Sequence, residues 1–197
     1  EMGEAKAYEL KDKDIEVKNK KGFSHKKGLA FLNSLFFIRH KRLIKKPVII
    51  KSLAVPVIGL GVFFLTVFKE SLTAVGIFEL TIRDMPFLMY TLSRQDKVIN
   101  VMYLNCDQGL LPYGFYRKGE MLLAMYRLRF RSMLAINMIP ALAVFATYMI
   151  AIAYKGELLW INNLVVLAYI LLMTTFFTSL ALAKYYLIQP YNQEGLP

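Results

Sequence analysis

Two long apolar runs, residues 134–154 and 158–188, are parted by only Lys155, Gly156 and Glu157. That spacing constrains the fold more than any other feature. A helix needs roughly 20 apolar residues to cross a hydrocarbon layer of about 30 Å, and each run is long enough. A three-residue link joins two such helices only as an antiparallel hairpin. Soluble domains of average composition do not gather their apolar residues into runs of this length. With 56% hydrophobic residues in a chain of 197, the sequence reads as an integral membrane protein. The expected fold is all-α and polytopic: about four transmembrane helices, a cytoplasmic amphipathic connector helix and a polar N-terminal arm.

Charge supplies the orientation. The formal charge is +11, yet the Lys and Arg residues flank apolar runs instead of alternating with base-stacking aromatics, which points to a lipid bilayer and excludes nucleic acid as a partner. Residues 93–131 carry Arg94, Lys97, Arg117, Lys118, Arg127, Arg129 and Arg131 against Asp96, Asp107 and Glu120. By the positive-inside rule this block is cytoplasmic, as is the N-terminus, and the hairpin turns outside. Tyr154 and Trp160 then stand at the outer interface and Tyr185 and Tyr186 at the inner one, as aromatic anchors.

The remaining segments follow in order. Residues 1–27 form a polar cytoplasmic arm, and the start at Glu1 points to a fragment or processed form. Residues 28–51 form a basic amphipathic elbow helix, with Phe31, Leu35, Phe36 and Ile38 in the lipid interface and Arg39, His40, Lys41 and Arg42 facing headgroups. Residues 52–92 make the first helical pair. Its first member, 52–68, carries no charge, and Pro56, Gly59 and Gly61 permit a kink or a close helix contact. Its second, 71–92, is interrupted by Glu79, Arg83, Asp84 and Pro86. Glu79 and Arg83, four apart, can pair on one face and lower the cost of an intramembrane site; the alternative is an outer amphipathic helix or a re-entrant segment.

In the connector, 93–131, a short helix from about 97 to 106 should end at Gly109, Pro112 and Gly114. Residues 120–131 read as a second helix lying at the inner membrane surface. Met121, Leu122, Met125 and Leu128 take one side and Arg127 and Arg131 another, with Arg129 in the same helix. Residues 132–188 are the hairpin and 189–197 a cytoplasmic tail. Asn137 beside Pro140 either opens a helix, as transporters do along substrate paths, or makes an interhelical hydrogen bond.

Catalytic motifs are missing from the sequence. It has no GxxxxGK[ST] phosphate loop, no HExxH and no GxSxG. A single Cys106 forms no intrachain disulfide and no metal pair. Neither a cofactor nor a metal is expected, and the chain is not read as an enzyme by itself.

The Asn-Cys-Asp triplet at Asn105, Cys106 and Asp107 precedes the Phe-Tyr-Arg triplet at Phe115, Tyr116 and Arg117. A basic helix then enters a span at 139–142, and Gln-Pro-Tyr-Asn closes the pattern at 189–192. Over about 96–192 this resembles the membrane (permease) subunit of bacterial ABC exporters, the putative ABC exporter family. The resemblance implies a multi-pass protein of the bacterial plasma membrane that forms part of a translocation path. It implies a separate ABC-type ATPase subunit as partner, and a homo- or hetero-dimer with another permease chain. Asn105, Asp107, Tyr113, Phe115, Tyr116 and Arg117 become the ATPase-contacting coupling element, since aromatic anchors dominate small interfaces. Two other classes compete: a membrane-anchored assembly or regulatory protein without transport activity, and a polytopic enzyme using Glu79, Arg83 and Asp84.

Overall fold

A computed structural model describes residues 28–67, 74–110, 112–114, 118–155 and 160–188. These form α1 (Gly28–Arg39), α2 (Lys41–Val67), α3 (Ala74–Ser93) and α4 (Asp96–Met102), then one π-helical turn (Tyr103–Asp107) that continues into α5 (Gln108–Leu110). α6 (Gly119–Lys155) and α7 (Trp160–Ile188) are the last described elements, and no strand occurs among the described residues. Among the described residues three stretches are long and apolar enough to cross a membrane: Lys41–Phe64, Gly119–Tyr154 and Trp160–Leu187.

The helix boundaries differ from the expected ones in two places. The elbow breaks at His40, and residues 41–51 belong to α2 with Pro47 inside it. The expected surface helix at 120–131 is not separate either. It is the first part of α6, a 37-residue helix that runs through Pro140 without a break. Because each residue adds about 1.5 Å, α6 is about 55 Å long and outreaches any hydrocarbon layer. Apart from Lys155 at its end, its charged residues all lie at or before Arg131, in about its first third.

The described residues fall into two compact units. The first comprises 28–46, 95–132 and 180–188. Here α1 and the start of α2 bury Phe36, His40 and Ile44, α4 buries Val98, Val101 and Met102, and α7 buries Leu182 and Tyr185. Phe36 and His40 therefore turn inward, away from the lipid interface and headgroups expected for them; their ring centroids lie 4.6 Å apart with the planes tilted by 30°. Leu32 and Ile38 are exposed. Asn33 on α1 donates a 3.0 Å hydrogen bond to Ser132 on α6.

The second unit comprises Pro47–Arg94 and Met133–Ser179 and packs four helices around one core. Phe63 from α2, Met85 and Met89 from α3, Val144 and Tyr148 from α6, and Val166 and Ile170 from α7 belong to it. Gly59 explains how α2 comes so close to α6, because a Cβ built there would lie 2.9 Å from Thr147 Cγ2. Small residues at such contacts are what lets membrane helices gain packing where lipid removes the hydrophobic drive. Gly61 has nothing near it. Lys51 Nζ donates to the carbonyls of Leu92 and Arg94, each at 2.7 Å. The last carbonyls of a helix have no partner within it, and Lys51 gives them a cation at the negative end of α3.

Candidate functional site

Two of the connector's polar residues, Asp107 and Arg129, meet inside the first unit instead of on its surface. In an α-helix Cys106 would follow Met102 on the buried face; the wider π turn, closed by Gln108 N–H bonding to Tyr103 O, hands that place to Asp107. Asp107 is accordingly buried while Asn105 is exposed. Across from it, Arg129 sits four residues from both Met125 and Met133 on α6, and all three are buried. Residues two apart on a helix point about 200° away from each other, so Arg127 and Arg131 face outward as expected and Arg129 cannot join them.

Arg129 Nη1 and Nη2 donate to Asp107 Oδ2 and Oδ1 at 2.5 and 2.6 Å, the two-pronged geometry that makes Arg–carboxylate pairs strong. Tyr185 on α7 donates its hydroxyl to the same Oδ2. Nη1 also donates to the Tyr186 hydroxyl at 2.7 Å, and the guanidinium lies 5.7 Å from that ring's centroid. Tyr126, edge-on to Tyr186 at 6.0 Å and stacked on Phe130 at 6.1 Å, encloses the group. Removing a charge from water is costly, and a buried pair repays it only when its remaining hydrogen-bonding positions are filled. The two tyrosines do this. They were expected as interfacial anchors, yet Tyr185 is buried and acts as a ligand of the carboxylate. The cluster ties one segment, the connector, to two helices at once.

Neighbouring Cys106 is held towards the protonated thiol. Burial raises its thiol pKa, and the opposing pull of Arg129 is the smaller effect. Among the described residues no three His, Cys, Asp or Glu side chains gather as a metal site would require.

Other expected site residues lie apart from the cluster. Asn105 Nδ2 donates to Val101 O of its own helix at 3.0 Å. Tyr113 is exposed, in a turn closed by its N–H on Leu110 O. Phe115, Tyr116 and Arg117 lie outside the described residues. Glu79, Arg83 and Asp84 are exposed on α3, and Arg83 pairs with its neighbour Asp84 at 2.9 Å instead of with Glu79. Asn137 is buried in the second unit and donates to Thr178 Oγ1 at 2.9 Å, which in turn donates to Thr174 O at 2.7 Å. Of the two expectations for Asn137, the interhelical hydrogen bond is the one realised.

Helix content and the three spanning-length helices define the class, an all-helical membrane-embedded protein. No protein-family model matches the chain, and no curated protein or solved structure is detectably similar to it.

Proposed function

We propose that the chain is the transmembrane permease subunit, or part of one, of an ATP-driven exporter in the bacterial plasma membrane. In this reading α3 is a fourth membrane span beside α2, α6 and α7. The connector faces the cytoplasm and receives a separate ATPase subunit, which does the hydrolysis. The resemblance of the 96–192 motifs suggests the class, and one structural observation supports the mechanics: Asp107 is bonded to Arg129 on α6 and Tyr185 on α7. An element that transmits force must be held rigidly, and buried, fully satisfied polar contacts fix one geometry. Displacing the connector then displaces both helices. The exposed turn at Pro112, Tyr113 and Gly114 offers the contact surface, with Phe115 to Arg117 next in sequence.

The test is purification of the full-length protein from its native membrane. A soluble ATPase should accompany it and be lost on Tyr113→Ala with Phe115→Ala, while insertion is unchanged. Asp107→Asn should keep the ATPase bound but remove its stimulation by transport. A chain that purifies without any ATPase would instead be a membrane-anchored assembly or regulatory protein.

A further inference from the structure

α3 carries a charged stripe on the side it turns away from the bundle. Val75, Glu79, Arg83 and Phe87 follow one another at four-residue steps with Asp84 beside them, and all five are exposed, whereas Ile77, Met85 and Met89 on the opposite side are buried. The Arg83 and Asp84 side chains are 70% and 65% exposed. At the surface of a soluble helix this would be ordinary.

The depth of the stripe makes it unusual. Thr174 Oγ1 lies 3.7 Å from Met89 Sδ, and the Tyr90 ring meets the Phe177 ring edge-on at 5.6 Å. Residues 89–90 are thus level with 174–177 of α7. The helix directions follow from the contacts: Lys51 near the start of α2 reaches the end of α3, and Gly59 and Phe63 on α2 meet Thr147 and Tyr154 on α6 in the same order. So α3 runs antiparallel to α2 and α6, and parallel to α7. Arg83 and Asp84 then stand near the middle of the uncharged stretch of α7, residues 160–183. Charged side chains at such depth face protein or water, not lipid. The Arg83–Asp84 pair uses only part of the guanidinium's five donors.

We infer that the α3 stripe is the interface with a second copy of this chain, an inference that rests on α3 being the fourth span. The stripe is self-complementary. A two-fold axis along the bundle brings the same level of both copies together, so each Arg83 comes within a helical turn of the other copy's Glu79 and Asp84. Val75 and Phe87, large apolar groups on the same stripe, are covered by the same contact; a water-filled path would leave both wet. Interhelical polar contacts of this kind hold membrane helices together.

Single cysteines placed in a Cys106→Ser background of the full chain test this in native membranes. Under copper-phenanthroline oxidation, Phe87→Cys should form a disulfide dimer. Leu172→Cys, at the same depth on the exposed face of α7, should stay monomeric. Adding Arg83→Ala to Phe87→Cys should cut the dimer yield at least threefold. If Phe87→Cys neither crosslinks nor reacts with a membrane-impermeant maleimide, α3 is embedded but not self-paired, and the dimer is wrong while the fourth span stands. Labelling of Phe87→Cys from the cytoplasmic face of inverted vesicles, without crosslinking, means a water path and also overturns the dimer. Labelling of Val75→Cys, Glu79→Cys and Phe87→Cys alike from outside removes the fourth span, and the dimer with it.

Discussion

Two arginine–aspartate pairs in this chain do opposite things. Arg129 and Asp107 come from separate helical segments, are buried, and bond in addition to Tyr186 and Tyr185. Arg83 and Asp84 are adjacent in the chain and face outward. A pair between neighbours constrains nothing that the backbone has not already fixed. A pair between distant segments, sealed from water, decides where those segments sit. The first holds the fold; the second is free to meet something else.

The largest effect that tests this contrast comes from deleting the arginines. Arg129→Ala leaves Asp107 buried without its cation and should cost about 3–5 kcal/mol, read as unfolding in mixed micelles. Arg83→Ala in the same detergent-solubilised monomer should leave unfolding unchanged. Equal losses from the two variants would erase the distinction.

A neutral polar contact in the second unit should cost less than the ionic one. Asn137→Val removes the bond to Thr178, and interhelical hydrogen bonds of this sort average about 0.6 kcal/mol, with about 1.7 as the upper end. Comparable, but with a lower ceiling, is the α3 terminus, where Lys51→Met removes the cation from the carbonyls of Leu92 and Arg94. The expected loss is about 0.3–1 kcal/mol, with earlier exchange of the amides in the last turn of α3 by hydrogen-exchange mass spectrometry.

The mildest effect is a pH dependence from His40. Its Nδ1 lies 3.0 Å from Phe36 O, which requires the proton on that nitrogen. Burial lowers its pKa, the Phe36 carbonyl opposes this, and Arg39 adds to the lowering. The unfolded chain therefore takes up the proton first as pH falls through about 6.5. The His40 contribution is full above that pH and is lost as the pH drops towards the folded-state value. Melting temperatures should fall between pH 7.5 and 5.5, and His40→Gln should flatten the slope.

The hairpin was legible because its signal is a run length, which no packing detail alters. Gly59 was legible as a close contact for the same reason that Gly61 was not distinguishable from it: composition marks small residues, but only the neighbour, Thr147, tells which one is used. The cluster is not legible from charge. Charge groups Arg129 with Arg127 and Arg131, although its four-residue spacing to Met125 and Met133 places it on the apolar stripe. That is the signal that identifies it. Asp107 offered no such clue, since its burial depends on a π turn that shifts the face by one residue. Tyr185 and Tyr186 look like any aromatic pair at a membrane boundary until the carboxylate beside them is known.

The most direct test of the connector's attachment is a double-mutant cycle between Asp107→Asn and Arg129→Gln, measured by unfolding in mixed micelles. Residues joined in one polar network typically couple by about 0.5–3 kcal/mol, and this pair should lie at the upper end of that range. Losses that simply add, to within about 0.5 kcal/mol, would contradict the joint between the connector and the long helices.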